Sequence, residues 1–251
     1  MSDSEASSPG PGATSSSPTA LPERFGSGLW TLALSAGFVA GMAAWGLGEA
    51  TLIPEAGFQS KNEKRFVSQT VAGFRNGSIC FGALGAAMGL GLGMTGGLAR
   101  RSTVRAVIAG TTGLTLGGAA GVALTQLMLP VYYEHSRSSD ITYSLIVHGG
   151  IWAGVAATAG LAFAIGWVGW RGVLRGVLGA VAGALVATVV HEIAGGILFP
   201  LASTDRPISQ TWETRLMARL LVSMLAAAGV VLCSEPAPEV AGGSPARQQE
   251  E

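Results

Sequence analysis

His191 and Glu192 stand side by side in VATVVHEIAGGILFP, residues 186–200, a stretch with no other charge. A buried carboxylate and imidazole can exchange a proton, hold a small ion, or supply ligands to a metal. With His148 they would make a three-ligand set of the kind zinc accepts, although no ligand spacing supports it. HEIAG is not the HExxH of zinc proteases, because Gly195 takes the place of the second histidine. There is no GxSxG nucleophile turn, and GSICFG at 77–82 lacks its flanking pattern. No cofactor motif occurs, and no enzyme activity is expected.

Glu192 lies eight residues before Pro200, about 12 Å along a helix. If Pro200 marks a membrane surface, the carboxylate is deep in hydrocarbon, where a charge costs at least ~2.5–3.5 kcal/mol and must be paired, neutralised or wetted. Ala184, Ala187, Thr188 and Gly195 share its side of the helix, so it faces other helices and not lipid. Residues of the same kind recur at similar places. Glu49 and Gln126 precede Pro54 and Pro130, and Arg75, His148 and Arg219 follow the three prolines by 21, 18 and 19 residues. The expected site is therefore a polar layer of Glu49, Arg75, Gln126, His148, His191, Glu192 and Arg219, with Glu192 paired to Arg219 or Arg75. Read structurally, the layer fixes helix register in a non-enzymatic scaffold or assembly component, the first expectation. Read functionally, it is the site of a small-solute or ion transporter or channel, the alternative.

The elements that must carry this layer follow from composition. Only 12% of the 251 residues are charged and 49% are hydrophobic, about half the usual charge of a soluble domain. The apolar residues form six blocks, near 29–50, 78–99, 104–129, 143–169, 173–199 and 215–233. Each has the length of a membrane-crossing helix. The fold expected is an all-α polytopic transmembrane bundle of about six helices in residues 28–233. The Ser/Pro/Gly-rich segment 1–27 and the tail 234–251 cannot bury enough apolar surface to order themselves and are expected to be disordered. Fifteen basic and fifteen acidic residues give no reason to expect nucleic acid as a partner. Cys80 and Cys233 have no metal or redox spacing.

The prolines that end blocks one, three and five are offset by 76 and 70 residues. Each precedes a polar loop, a Ser/Thr-bearing helix start, a cation or histidine, and a Gly/Ala-rich helix. This pattern reads as three pseudo-repeated helical hairpins. Glycines recur four apart, at 85, 89, 93 and 97, at 113, 117 and 121, and in pairs at 37/41, 150/154 and 172/176. Such faces allow close helix packing in lipid, within the chain or against a second copy or another membrane protein. The tight links RRST and WRGVLR carry Arg100, Arg101, Arg105, Arg171 and Arg175 and no acid. By the positive-inside rule they face the cytoplasm, with both termini, in what is expected to be the cytoplasmic (inner) membrane.

Overall fold

The computed structural model describes residues 24–53, 63–135, 141–202 and 206–234. They form α1 (Arg24–Thr51), α2 (Glu63–Ala99), α3 (Thr103–His135), α4 (Ile141–Trp167), α5 (Val173–Leu198) and α6 (Trp212–Ser234), with one 3-10 turn, Trp170–Gly172, before α5. All six helices are long and apolar enough to cross a membrane. The protein is an all-α, membrane-embedded bundle. Most of the two tails, and Pro54, lie outside the described residues; Arg24–Ser27 already belong to α1.

Four helices are longer than their apolar blocks, α2 and α3 by the most. At 37 and 33 residues, α2 and α3 run about 55 and 50 Å, well beyond a ~30 Å hydrocarbon core. The segment expected as a loop before residue 78 is helical from Glu63, so Arg75 stands in the fourth turn of α2 and not in its first. Pro130, expected as a stop, lies inside α3, which continues to His135. The lost N–H and the clash with the preceding turn are offset by packing beyond it. Tyr133 stacks on Phe74 of α2 at 5.9 Å, and Tyr132 meets Tyr133 edge-on at 5.7 Å. The α2–α3 hairpin thus extends as a unit. At the other end of that hairpin, the Arg100 guanidinium donates to the Trp167 carbonyl and sits over the Trp167 ring, tying the α2–α3 turn to the end of α4.

Five helices close a ring in the order α1, α2, α4, α5, α6, and α3 packs outside it against α2 and α4. The most buried spans are α2 and α4, and α3 is the most open. Phe81, Leu84, Met88 and Leu92 of α2 and Ile151, Trp152, Val155 and Phe163 of α4 form the core with the small residues of α1, α5 and α6. Large apolar side chains point outward on α3 (Val104, Val107, Ile108, Leu127) and on α5 (Leu178, Val186, Ile193, Ile197), as lipid as solvent requires. On that outer face Thr111 and Thr115 turn their hydroxyls onto carbonyls three and four residues back, leaving no free donor in the hydrocarbon.

Lipid does not drive helix against helix as water does, so close backbone approach supplies the packing. A methyl group added at Gly85 would overlap the Gly117 backbone, one at Gly89 the Gly113 backbone, and one at Gly97 the Ala106 backbone. Gly121 lies likewise against Phe81. The same contact joins α4 to α5 at Gly160 and Gly176, α5 to α6 at Gly179 and Gly229, and α1 to α6 at Gly37 and Ser223. Gly150 and Gly154 differ: they face the Met128 and Leu124 side chains of α3, and Gly172 faces Val168 of its own link. The link itself turns at Gly169, whose φ of 78° favours glycine.

Candidate functional site

The ring order decides what the polar residues meet. Glu192 stands six residues before the end of α5, His148 seven after the start of α4, and Arg219 seven after the start of α6. α4 and α6 both run antiparallel to α5, so all three reach one level about 10 Å below the same end of the bundle. On α5 the buried residues form one stripe, Gly176, Gly179, Ala180, Ala184, Ala187, Thr188, His191, Glu192 and Gly195. His191 and Glu192 are its largest members, and their small neighbours let α4 and α6 come close.

Glu192 turns toward α4. Its Oε1 accepts from the Ser144 hydroxyl at 2.8 Å and lies 2.9 Å from His148 Nδ1. The other ring nitrogen, Nε2, lies 3.1 Å from the backbone carbonyl of Arg206. A carbonyl only accepts, so Nε2 carries a hydrogen. A second proton is then held between Nδ1 and Oε1. The couple is either imidazolium with carboxylate or imidazole with carboxylic acid, and it is neutral in both forms. The expected partners of Glu192, Arg219 and Arg75, are not the ones it meets.

Serine, histidine and carboxylate here are wired differently from a hydrolytic triad. A triad needs the serine on one imidazole nitrogen and the carboxylate on the other. Both contacts fall on Nδ1, at 3.2 Å from Ser144 Oγ and 2.9 Å from Glu192, and the serine hydrogen goes to the carboxylate.

A second couple closes the ring. Arg215 of α6 grips Glu49 of α1 bidentately through Nε and Nη2, at 2.5 and 2.7 Å, and its Nη1 donates to the carbonyls of Ser209 and Gln210. The segment before α6 is thereby drawn over the bundle's end. It presents Pro207, Ile208 and Ser209 to a small cavity that is also lined by Phe81, His148, Trp152, His191, Arg215 and Arg219. The cavity has room for about one water-sized sphere.

Among the described residues, several buried groups around this cavity lack hydrogen-bond partners: Arg219 Nη1, both ring nitrogens of His191, Trp152 Nε1 and, nearby, Trp45 Nε1. The Arg219 guanidinium lies over the Phe81 ring at 4.6 Å, with the Cys80 thiol beside it. His191 meets the rings of His148 and Trp152 at 5.6 and 5.3 Å, edge-on. The Cys80 thiol is a hydrogen-bond partner of the guanidinium, but the ring contacts leave Arg219 Nη1 and both His191 ring nitrogens unanswered.

Five of the seven expected residues gather at this end of the bundle, His148, His191, Glu192 and Arg219 at one level and Glu49 about a turn nearer the end, while Arg75 and Gln126 stand apart on exposed faces. Arg75 is exposed on α2. Gln126 is exposed on α3, where its amide donates to Ser78 Oγ at 2.8 Å. Such interhelical bonds average ~0.6 kcal/mol in a membrane protein. Gln126→Leu should therefore change unfolding free energy in a detergent titration by less than about 1 kcal/mol; a larger loss would show that this bond matters more to the hairpin than its position implies.

Ser144, Trp152 and Arg215 were not anticipated. All three stand four residues from a residue that was, Ser144 and Trp152 from His148 and Arg215 from Arg219. Side chains four apart share a helix face, so that spacing would have found them. Asn76 was also missed; its amide bonds both backbone groups of Ile53 and ties the end of α1 to α2. Among the described residues no group of three His, Cys, Asp or Glu side chains could hold a metal ion, and the zinc reading of His148, His191 and Glu192 has no geometry behind it.

Comparison with protein families, with curated proteins and with solved structures finds no match.

Proposed function

We propose that the protein is a non-enzymatic small-solute carrier whose solute binds in the cavity between Arg219, His191 and Trp152. The observation that carries this is Arg219, buried with an unanswered Nη1 among other unanswered donors. A layer that only held helices together would pair its members, as Arg215 and Glu49 are paired. Read as a scaffold, the same layer accounts for that fork and for the His148–Glu192 couple, but it leaves Arg219 and His191 without a purpose. An unsatisfied buried donor costs roughly 1–3 kcal/mol, and more if charged. Sites that bind a ligand carry such a cost when ligand-free.

The carrier sits in the cytoplasmic membrane with both termini inside. Arg100, Arg101, Arg105, Arg171 and Arg175 are all exposed at the end opposite the cavity, and that end faces the cytoplasm by the positive-inside rule. The cavity then opens toward the outer surface.

Two melts in detergent test this reading. Glu49→Gln removes the charge that answers Arg215 and should cost about 1.5–3 kcal/mol, the range of a hydrogen bond to a charged group. Arg219→Met removes the guanidinium whose Nη1 is unanswered and keeps most of the stem packing. It should melt at or above the unmodified protein when no solute is present. A fall as large as that of Glu49→Gln would mean Arg219 is a structural member of the layer, and the carrier reading would be abandoned.

A further inference from the structure

Resting on the reading of this cavity as a solute site, we propose that it takes a compact monovalent anion of halide size. The unsatisfied polar atoms at the cavity are donors, apart from one histidine nitrogen. Arg219 Nη1 and Trp152 Nε1 can only donate, and His191 carries at least one N–H. Ligands that could receive all of these together are rich in lone pairs. A water molecule accepts two hydrogen bonds, whereas a halide accepts from every side.

Charge points the same way. The Glu49 carboxylate is held bidentately by Nε and Nη2 of Arg215, and Glu192 is neutralised within its couple with His148. Arg219 has the Cys80 thiol beside it and shares Glu49 with Arg215, so its charge has no carboxylate of its own in a medium of low dielectric. A cation would add to that charge, and an anion cancels it. Size and wall chemistry narrow the class. Space for about one water-sized sphere excludes a carboxylate-bearing metabolite, phosphate or sulfate in this conformation. Phe81, Pro207, Ile208 and Ala218 make up much of the wall, which suits a polarisable ion that gives up its hydration readily.

The test uses the full chain purified in detergent and sodium gluconate. Chloride replaces gluconate at constant ionic strength, and radiochloride binding is followed by equilibrium dialysis alongside the melting temperature. The expected result is saturable binding of about one chloride per chain, with a melting temperature that rises as the site fills. Arg219→Met should weaken binding at least tenfold, His191→Phe should weaken it as well, and the exposed-site variant Arg75→Met should bind as the unmodified protein does. Absence of saturable binding, or unchanged binding in Arg219→Met, overturns the proposal. Should Arg219→Met fail to fold, iodide decides the matter on the unmodified chain. Its quenching of tryptophan emission must contain a saturable part that Trp152→Phe removes, and purely linear quenching overturns the proposal. Failure here with melts that follow the carrier reading rejects the anion class alone. A destabilising Arg219→Met melt rejects the solute site itself.

Discussion

Gly89→Val is expected to unfold the protein more readily by on the order of 3 kcal/mol, the upper part of the range for overpacked cores. Even the first carbon of the valine side chain would overlap the Gly113 carbonyl on α3, and Gly113 in turn lies against Gly89. Backbone atoms cannot swing aside as a side chain can. The two helices must separate, and the neighbouring contacts at Gly85–Gly117 and Gly97–Ala106 open with them. Two controls isolate this mechanism. A methyl at Gly118 would sit 3.5 Å from Ala86 Cβ, an ordinary contact, and one at Gly196 would meet nothing within 4 Å. Gly118→Ala and Gly196→Ala should each stay within about 1 kcal/mol of the unmodified protein, since alanine also has the better helix propensity. The measurement is reversible unfolding in mixed detergent micelles. Equal losses at Gly89 and Gly196 would show that the α2–α3 seam does not depend on close backbone approach.

The second large effect is a contrast at Glu192. Glu192→Leu leaves the Ser144 hydroxyl and His148 Nδ1 without their shared acceptor between packed helices. Breaking one side of a buried couple in this way costs about 3–5 kcal/mol in proteins studied by substitution. Glu192→Gln is different. With its amide nitrogen at the Oε1 position it can donate one hydrogen to His148 Nδ1 and the other to Ser144 Oγ, which keeps both contacts without the charge. His148 keeps its Nε2 hydrogen on the Arg206 carbonyl. The loss with Gln should be about 1 kcal/mol, one ordinary hydrogen bond. If the couple's proton takes part in transport, the Gln protein should still fold but lose solute flux in proteoliposomes. A Gln variant as unstable as the Leu variant would mean that the carboxylate charge itself holds α4 to α5.

The six spans were legible because lipid imposes a crude demand: long runs of apolar residues with no backbone left unpaired. The depth of Glu192 could be counted from Pro200, and the small residues on its helix face told which way it pointed. Its partner could not be read. Every pair of successive helices in such a bundle is antiparallel, so sequence alone does not say that α4, and not α3, lies inside the ring beside α5. Once that order is known, Ser144 and His148 are the residues at the right level. Pro130 misled for a related reason. Local chemistry favours a stop there, and the aromatic contacts that carry the helix onward come from residue 74, on another helix. Arg75 was misplaced by the same extension of the hairpin.

The two couples also differ in when they become possible as the chain is made. Ser144 and His148 precede Glu192 by 48 and 44 residues, so the groups that neutralise this acid are already in the bilayer when α5 arrives. Glu49 must wait 166 residues for Arg215. A nascent polypeptide halted after α5 holds an acid on its first span with no guanidinium to receive it. The circle of helices is joined only when the last span is released from the ribosome and docks against the first.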